Sequence, residues 1–218
     1  MALAGVDLST AADTHLLLAG ANGAGKTTLL RLFAGLTGPT KGRVTIGGED
    51  PRRSTSQRVR LGLLSHQTLL YDDLTATENL RFFAGLYGLS PDTVGPALAA
   101  VDLSTHAESQ VGGFSRGMKQ RLALARATLH APEVLLLDEP FTGLDRRSAR
   151  ALSTQLLKRT QQSGVSSVLV THNVDEAAQF VNRVVVLRGG RVVCDEAWSS
   201  DDGARLQALC DLHQETSR

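Results

Sequence analysis

The chain has 218 residues, 23 basic against 22 acidic, enough for one sizeable domain or two small lobes sharing a core, and too balanced in charge to draw in nucleic acid or an anionic membrane. Cys194 and Cys210 stand in no CxxC or Cys/His cluster, which excludes a disulfide scaffold and structural zinc and suits a reducing compartment. No apolar run approaches the ~18 residues of a membrane helix, and the start MALAGVDLST has neither the basic residues nor the apolar stretch of a signal peptide, so the chain reads as soluble, with any membrane association through a partner.

Aromatic residues are scarce, so the core is expected to be Leu, Val and Ala. Short apolar runs alternate with helical patterns, which argues for a mostly parallel sheet flanked by helices. In chain order, residues 16–19 read as a strand and 26–34 as a helix stopped by Gly35. Residues 43–46 read as a strand between two turns, and 61–65 as another ending near Gln67. The sequence T-A-T-E at 75–78 is a capping box that opens a helix to about Tyr87. Ser90 and Pro91 start a second helix, through about Val101, and Ser115 a third, with Met118, Leu122, Ala125 and Leu129 at helical spacing. Residues 68–130 thus form a helical insert between a core of about 1–67 and 131–195.

The strand pattern then returns. Residues 134–137 are wholly apolar, as in a strand buried on both faces. A helix is expected over 147–162, stopped by Gly164, then a strand at 165–171. Asn173 caps a short helix, and 184–187 pairs with 191–194 across Gly189-Gly190. From about residue 196 the chain is expected to be a mobile tail.

Three stretches carry chemistry. Gly20, Ala21, Asn22, Gly23, Ala24, Gly25, Lys26 and Thr27 spell GANGAGKT, followed by Thr28. A polyanion such as triphosphate needs many N–H donors close to the backbone, which glycines permit, and a helix N-terminus aimed at it. In such a phosphate-binding loop Lys26 reaches the β/γ oxygens and Thr27 ligates Mg²⁺. The alternative is a glycine-rich turn before a helix. Asp138 and Glu139 follow a buried strand, at the end where open α/β sheets place ligands. Asp138 suits Mg²⁺, directly or through water, and Glu139 suits a general base; alone, Asp-Glu-Pro is more often a turn. Ser115 opens a helix, whose free N–H donors suit an anion, although a plain N-cap is the better reading of Ser115 without its neighbours.

The set GANGAGKT, Gln67, FSRGM at 114–118, VLLLDEP, TGLD at 142–145 and His172, in this order, resembles an ABC-transporter ATP-binding subunit over about residues 2–194. The resemblance implies an α/β fold: a RecA-like P-loop NTPase core with a mostly parallel sheet, small antiparallel elements and an inserted helical lobe. It implies ATP and Mg²⁺ as ligands, Gln67 as the glutamine sensing Mg²⁺ and water, and His172 as a histidine contacting the γ-phosphate. Ser115 and Gly117 grip the ATP of a second copy, and Asp145, also a candidate N-cap, communicates across that dimer. Alone, Gln67 reads as a solvated loop residue and His172 as structural. The subunit is expected to work as a head-to-tail dimer, held on the cytoplasmic face of the membrane by integral membrane subunits, without nucleic acid.

Two departures stand out. FSRGM replaces the usual LSGGQ, putting Arg116 and Met118 where Gly and Gln are common. No aromatic precedes Phe33 to stack on adenine, which suggests a start truncated relative to the family. Within the family, residues 65–89 and 114–145 resemble the haem exporter of bacterial cytochrome c biogenesis. Drug, lipid and ion exporter subunits are the alternative, and a soluble non-transport ABC ATPase is further away, since no coiled-coil insert or second cassette is seen. No N/TKxD element suggests a GTPase.

Overall fold

The computed structural model describes residues 2–199 apart from 54, 66, 162, 163 and 173. Six strands form one sheet: β1 His15–Ala19, β2 Leu61–Leu64, β3 Val134–Asp138, β4 Ser166–Val170, β5 Arg183–Arg188 and β6 Arg191–Ala197. Their spatial order is β2-β3-β4-β1-β5-β6. The first five are mutually parallel and only β5–β6 is antiparallel. The helices are α1 Lys26–Phe33, α2 Thr55–Val59, α3 Ala76–Leu86, α4 Val94–Ala100, α5 Arg116–Thr128, α6 Arg146–Thr160 and α7 Val174–Ala177.

The parallel strands are apolar without alternation because both sheet faces are covered. Leu17, Leu135, Leu137, Leu169, Val184 and Val186 face one side, where they meet Leu124 of α5 and Leu152 and Leu156 of α6. Leu16, Leu18, Leu136, Val168, Val185 and Leu187 face the other, against Leu29, Leu30 and Leu32 of α1. Each such leucine removed from water contributes about 1.5–3 kcal/mol, and the Leu side chains of β1 are fully buried. A third cluster joins Leu80 and Ala84 of α3, Val94 and Leu98 of α4, and Leu122 and Ala125 of α5. Helix α5 thus packs with one side on the sheet and with another on the helices of 76–101.

Several expectations hold locally. Thr75 accepts from Glu78 N while Glu78 caps Thr75 N, the capping box read from the sequence. Pro91–Thr93 is a 3₁₀ turn, and α4 begins only at Val94. Others need correction. Residues 43–46 are not a strand; only an isolated bridge joins Ile46 and Glu49 across Gly47-Gly48. Val44 packs on the second cluster, but no neighbouring strand supplies a ladder, and an unpaired extended segment is not a strand. α2 was not expected, since five residues carry no helical period. The chain from 196 is not all tail: β6 runs to Ala197, and Trp198 is buried in the first cluster. Asn173, the expected cap of α7, and residues 200–218 lie outside the described residues.

Candidate functional site

Parallel strands deliver their C-terminal ends to one edge of the sheet, and ligands bind in the crevice there. In spatial order that edge carries the segment after β2 with Gln67, then Asp138–Glu139 after β3, Thr171–His172 after β4, the glycine loop after β1 and Gly189-Gly190 after β5. At ~4.8 Å per strand, the loop lies about 10 Å from Asp138, with His172 just past the end of the strand between them.

The glycine loop is shaped by backbone that only glycine tolerates. Gly20 has φ 137°, and a Cβ there would collide with the carbonyl oxygen of Leu187. Gly25 has φ 105°, and its Cβ would meet Ala2 O at 2.6 Å. The loop is also tied to its neighbours: Gly190 N donates to Ala24 O at 3.1 Å, and Ala4 N donates to Gly190 O at 2.7 Å. Lys26, 8% exposed, donates from Nζ to Gly20 O at 2.6 Å and Ala21 O at 3.0 Å. Its ammonium is held at the loop, where it can exchange carbonyls for phosphate oxygens. Ala21 and Thr28 are half-buried, Asn22, Gly23 and Thr27 exposed, and Ala24 buried.

Asp138 is buried at the end of β3, paired in register with Val170. At Glu139 the chain turns: φ is 51°, in the left-handed region, which is uncommon for any residue but glycine and strained. This kink breaks the strand alternation that would have sent neighbours to opposite faces. The Glu139 carboxylate then meets His172, with Nε2 3.1 Å from Oε1 and the His172 N–H donating to Oε2 at 3.3 Å. Thr142 Oγ1 also donates to Oε2, at 3.3 Å. Glu139 and His172, distant in sequence, are in contact. Gln67 is exposed, in a turn where Ser65 Oγ donates to its carbonyl at 2.5 Å. It borders a cleft shared with Thr68, Leu69, Phe114, Arg116, Lys119 and Gln120.

Ser115 caps α5, its Oγ accepting from Met118 N at 3.2 Å. Gly117 is buried because α6 lies against it; a Cβ would meet Ser148 Oγ at 2.6 Å. Arg116 donates from Nε to Thr142 O at 2.9 Å and lies over Gly143. Asp145 caps α6, accepting from Ser148 N at 2.8 Å. That hydrogen bond, with one from the Ser148 hydroxyl, holds its carboxyl below the usual range. Ser115 and Gly117 are therefore tied to the Thr142–Ser148 segment, and Gly20–Thr28 to β5–β6.

The oxygen donors Thr27, Asp138 and Gln67 are hard ligands of the kind Mg²⁺ takes. Among the described residues no group of three or more His, Cys, Asp or Glu forms a metal cage. Sequence reasoning missed the bracing by Gly190, the Leu187 carbonyl and residues 2–4; nothing local in a Gly-Gly hairpin turn signals a distant loop. It also missed Thr142 as a partner of Glu139.

Comparison with known proteins bears on the family and the fold. The chain is 40% identical over 183 residues to Nod factor export ATP-binding protein I of Cupriavidus pinatubonensis, covering 82% of this chain and 56% of that protein. The chain thus spans little more than half the length of this relative. It is 37% identical over 182 residues to the ABC transporter ATP-binding protein NatA of Bacillus subtilis, covering 80% of this chain and 73% of that one. A solved ATP binding subunit of an ABC transporter superposes with TM-score 0.81 at 29% identity, over 96% of this chain and 88% of its own. A dimeric, post-hydrolysis ATP-binding cassette bound to ADP and Pi gives TM-score 0.79 at 27% identity, over 90% of each chain. The family model described as ABC transporter matches residues 3–142, so the chain belongs to the ABC transporter family.

Proposed function

We propose that this chain is the ATP-binding and ATP-hydrolysing subunit of an ABC exporter. The observation that carries the reading is the meeting of Glu139 with His172 on the same sheet edge as the glycine loop and Gln67. Gly20–Thr28 cradle the phosphates through backbone N–H groups, and Lys26 shifts from loop carbonyls to the β/γ oxygens. Thr27, Asp138 and Gln67 would hold Mg²⁺, which would supply charge neutralisation to the phosphates. Glu139 takes the proton of a water whose oxygen attacks the γ-phosphorus. The bond from that phosphorus to the β–γ bridging oxygen breaks, and ADP and phosphate leave. His172 orients Glu139 and the γ-phosphate.

Ser115 and Gly117 complete the site of a second copy, and Asp145 lies on the same face, so two ATP molecules close a head-to-tail dimer and hydrolysis opens it. Residues 68–130 act as a lobe that moves relative to the core. That lobe exposes Leu86 (68%), Leu69 (53%), Tyr71 (49%) and Phe82 (43%) just beyond Gln67. In this reading integral membrane subunits dock on these exposed apolar side chains, from the cytoplasmic face. Among the described residues no helix is long and apolar enough to cross a membrane. Relatives named for export support an export direction. Haem as cargo rests on the sequence resemblance of residues 65–89 and 114–145 alone.

The test is ATP turnover by the purified chain and by Glu139→Gln. Turnover in the wild type, its loss in the variant and an ATP-dependent dimer of the variant support the reading; a monomeric variant that still hydrolyses ATP overturns it. Co-purification from membranes identifies the membrane subunits, and partners unrelated to cytochrome c maturation remove haem while leaving the ATPase.

A further inference from the structure

Helix α5 and the residue just past its C-cap carry two nitrogen side chains, a buried Arg126 and a half-buried His130, that the proposed hydrolysis does not use. Arg126, 8% exposed, donates from Nη2 to Leu63 O at 2.8 Å. His130, one turn on, lies with Nε2 3.0 Å from Leu61 O. Both carbonyls belong to β2, an edge strand whose only strand neighbour is β3. Arg60 O accepts from Val134 N, so even-numbered residues of β2 face β3 and the carbonyls of Leu61 and Leu63 face the open edge. The two side chains thus occupy the place of a missing strand.

The arrangement is costly. Arg126 Nε and His130 Nδ1 are buried without a hydrogen-bond partner. Among the described residues no carboxylate pairs with Arg126. Each meets an aromatic ring from the end of α3 or its C-cap: Arg126 lies 5.2 Å from the Phe83 ring centroid, and His130 stacks on Tyr87 at 4.0 Å. Phe82 and Leu86, between and beside these residues on the same helix, are exposed.

We propose that Arg126 and His130 are positioning residues that latch α3 and α5 to the open edge of β2 and so fix Gln67, three residues beyond its end. A neutral, fully satisfied side chain would cap the edge at less cost. A cation whose buried Nε is left without a partner among the described residues fits a contact that is meant to shift. Displacement of α3 by a partner on Phe82 and Leu86 reaches Gln67 through Phe83, Arg126 and Leu63. The partner's identity rests on the exporter reading; the latch does not.

The test compares Arg126→Met, Arg126→Lys and His130→Phe in the full chain. Amide hydrogen exchange should quicken about tenfold or more over residues 61–67 in Arg126→Met, and not over 20–33, because the loss of an edge hydrogen bond is local. Lys keeps a donor for Leu63 O and should restore most of the protection. His130→Phe, which keeps the stack on Tyr87, should quicken exchange less. In turnover, Arg126→Met should lower kcat about tenfold with KM for ATP within about twofold, since the glycine loop is held elsewhere. Unchanged exchange over 61–67, or Lys no better than Met, overturns the latch. Should Arg126→Met not fold, the Lys and Phe variants decide by the same exchange. An inactive wild type would sink the ATPase reading and leave the exchange result to judge the latch.

Discussion

The two glycine-bearing sites of this chain are built differently. The loop at 20–28 is braced from behind by the Leu187 carbonyl, by Gly190 and by residues 2–4, and its lysine is buried. The turn at 115–117 is a helix start with Ser115 and Arg116 exposed and Gly117 buried against α6, steadied from the side by Ser148 and by the Arg116–Thr142 bond. The first is a finished cradle whose donors are fixed before any ligand arrives. The second has no such bracing from behind, and in the proposed function it would meet the nucleotide of an opposing copy. Under the proposed function these would be two half-sites, and the contrast between them supports that proposal of one jaw of a dimeric clamp.

The sharpest way to break that comparison is at the carboxylate serving the first site. Glu139→Gln should lower ATP turnover by about 10²–10⁴-fold, the range for a general base, and should leave an ATP-bound dimer visible by light scattering. Full turnover would reassign the base.

Next come the glycines. Gly20→Ala meets a carbonyl oxygen at φ 137° and should cost about 3 kcal/mol in denaturant unfolding, with ATP binding lost. Gly117→Ala meets the Oγ and Cβ of Ser148 on a neighbouring helix, not a backbone carbonyl, and its φ is not in the left-handed region. It should cost about 1 kcal/mol, retain ATP binding by the monomer and weaken the dimer. Equal stability losses at the two sites would contradict the contrast between them.

Smaller effects separate caps from function. Ser115→Ala and Thr75→Ala each remove an N-cap and should each cost about 1 kcal/mol in unfolding. Only Ser115→Ala should also slow turnover, because Thr75 caps a helix away from the nucleotide. Equal turnover in both would leave Ser115 as a plain cap.

The gentlest probe is pH. Burial pushes both His15 and His130 below the ordinary histidine value, and Arg126 lowers His130 further. Above ~6.5 both states are neutral and stability is at its full value. As pH falls below that, the unfolded chain takes protons that the folded one refuses, and stability drops until the folded values are passed. Chemical denaturation between pH 7.5 and 5 should show the decline, and His130→Phe should reduce it.

The sequence alone determined the parts that depend on neighbours along the chain. The apolar runs of β1, β3, β4 and β5, the capping box at Thr75, the caps at Ser115 and Asp145 and the glycine loop were all legible, because period, cap chemistry and φ preference act over a few residues. So was the likeness of six ordered motifs to one family. Tertiary structure alone decided the rest. Whether 43–46 is a strand depended on a neighbour that is not there. Trp198 in what read as a tail found a place in the core. Glu139 meets His172 only because β4 lies beside β3 and the chain kinks at φ 51°. The bracing of the glycine loop by Gly190, and the grip of Arg126 and His130 on β2, join residues more than sixty apart. A hydrogen bond across such a span is set by strand order and packing, and no local pattern encodes it.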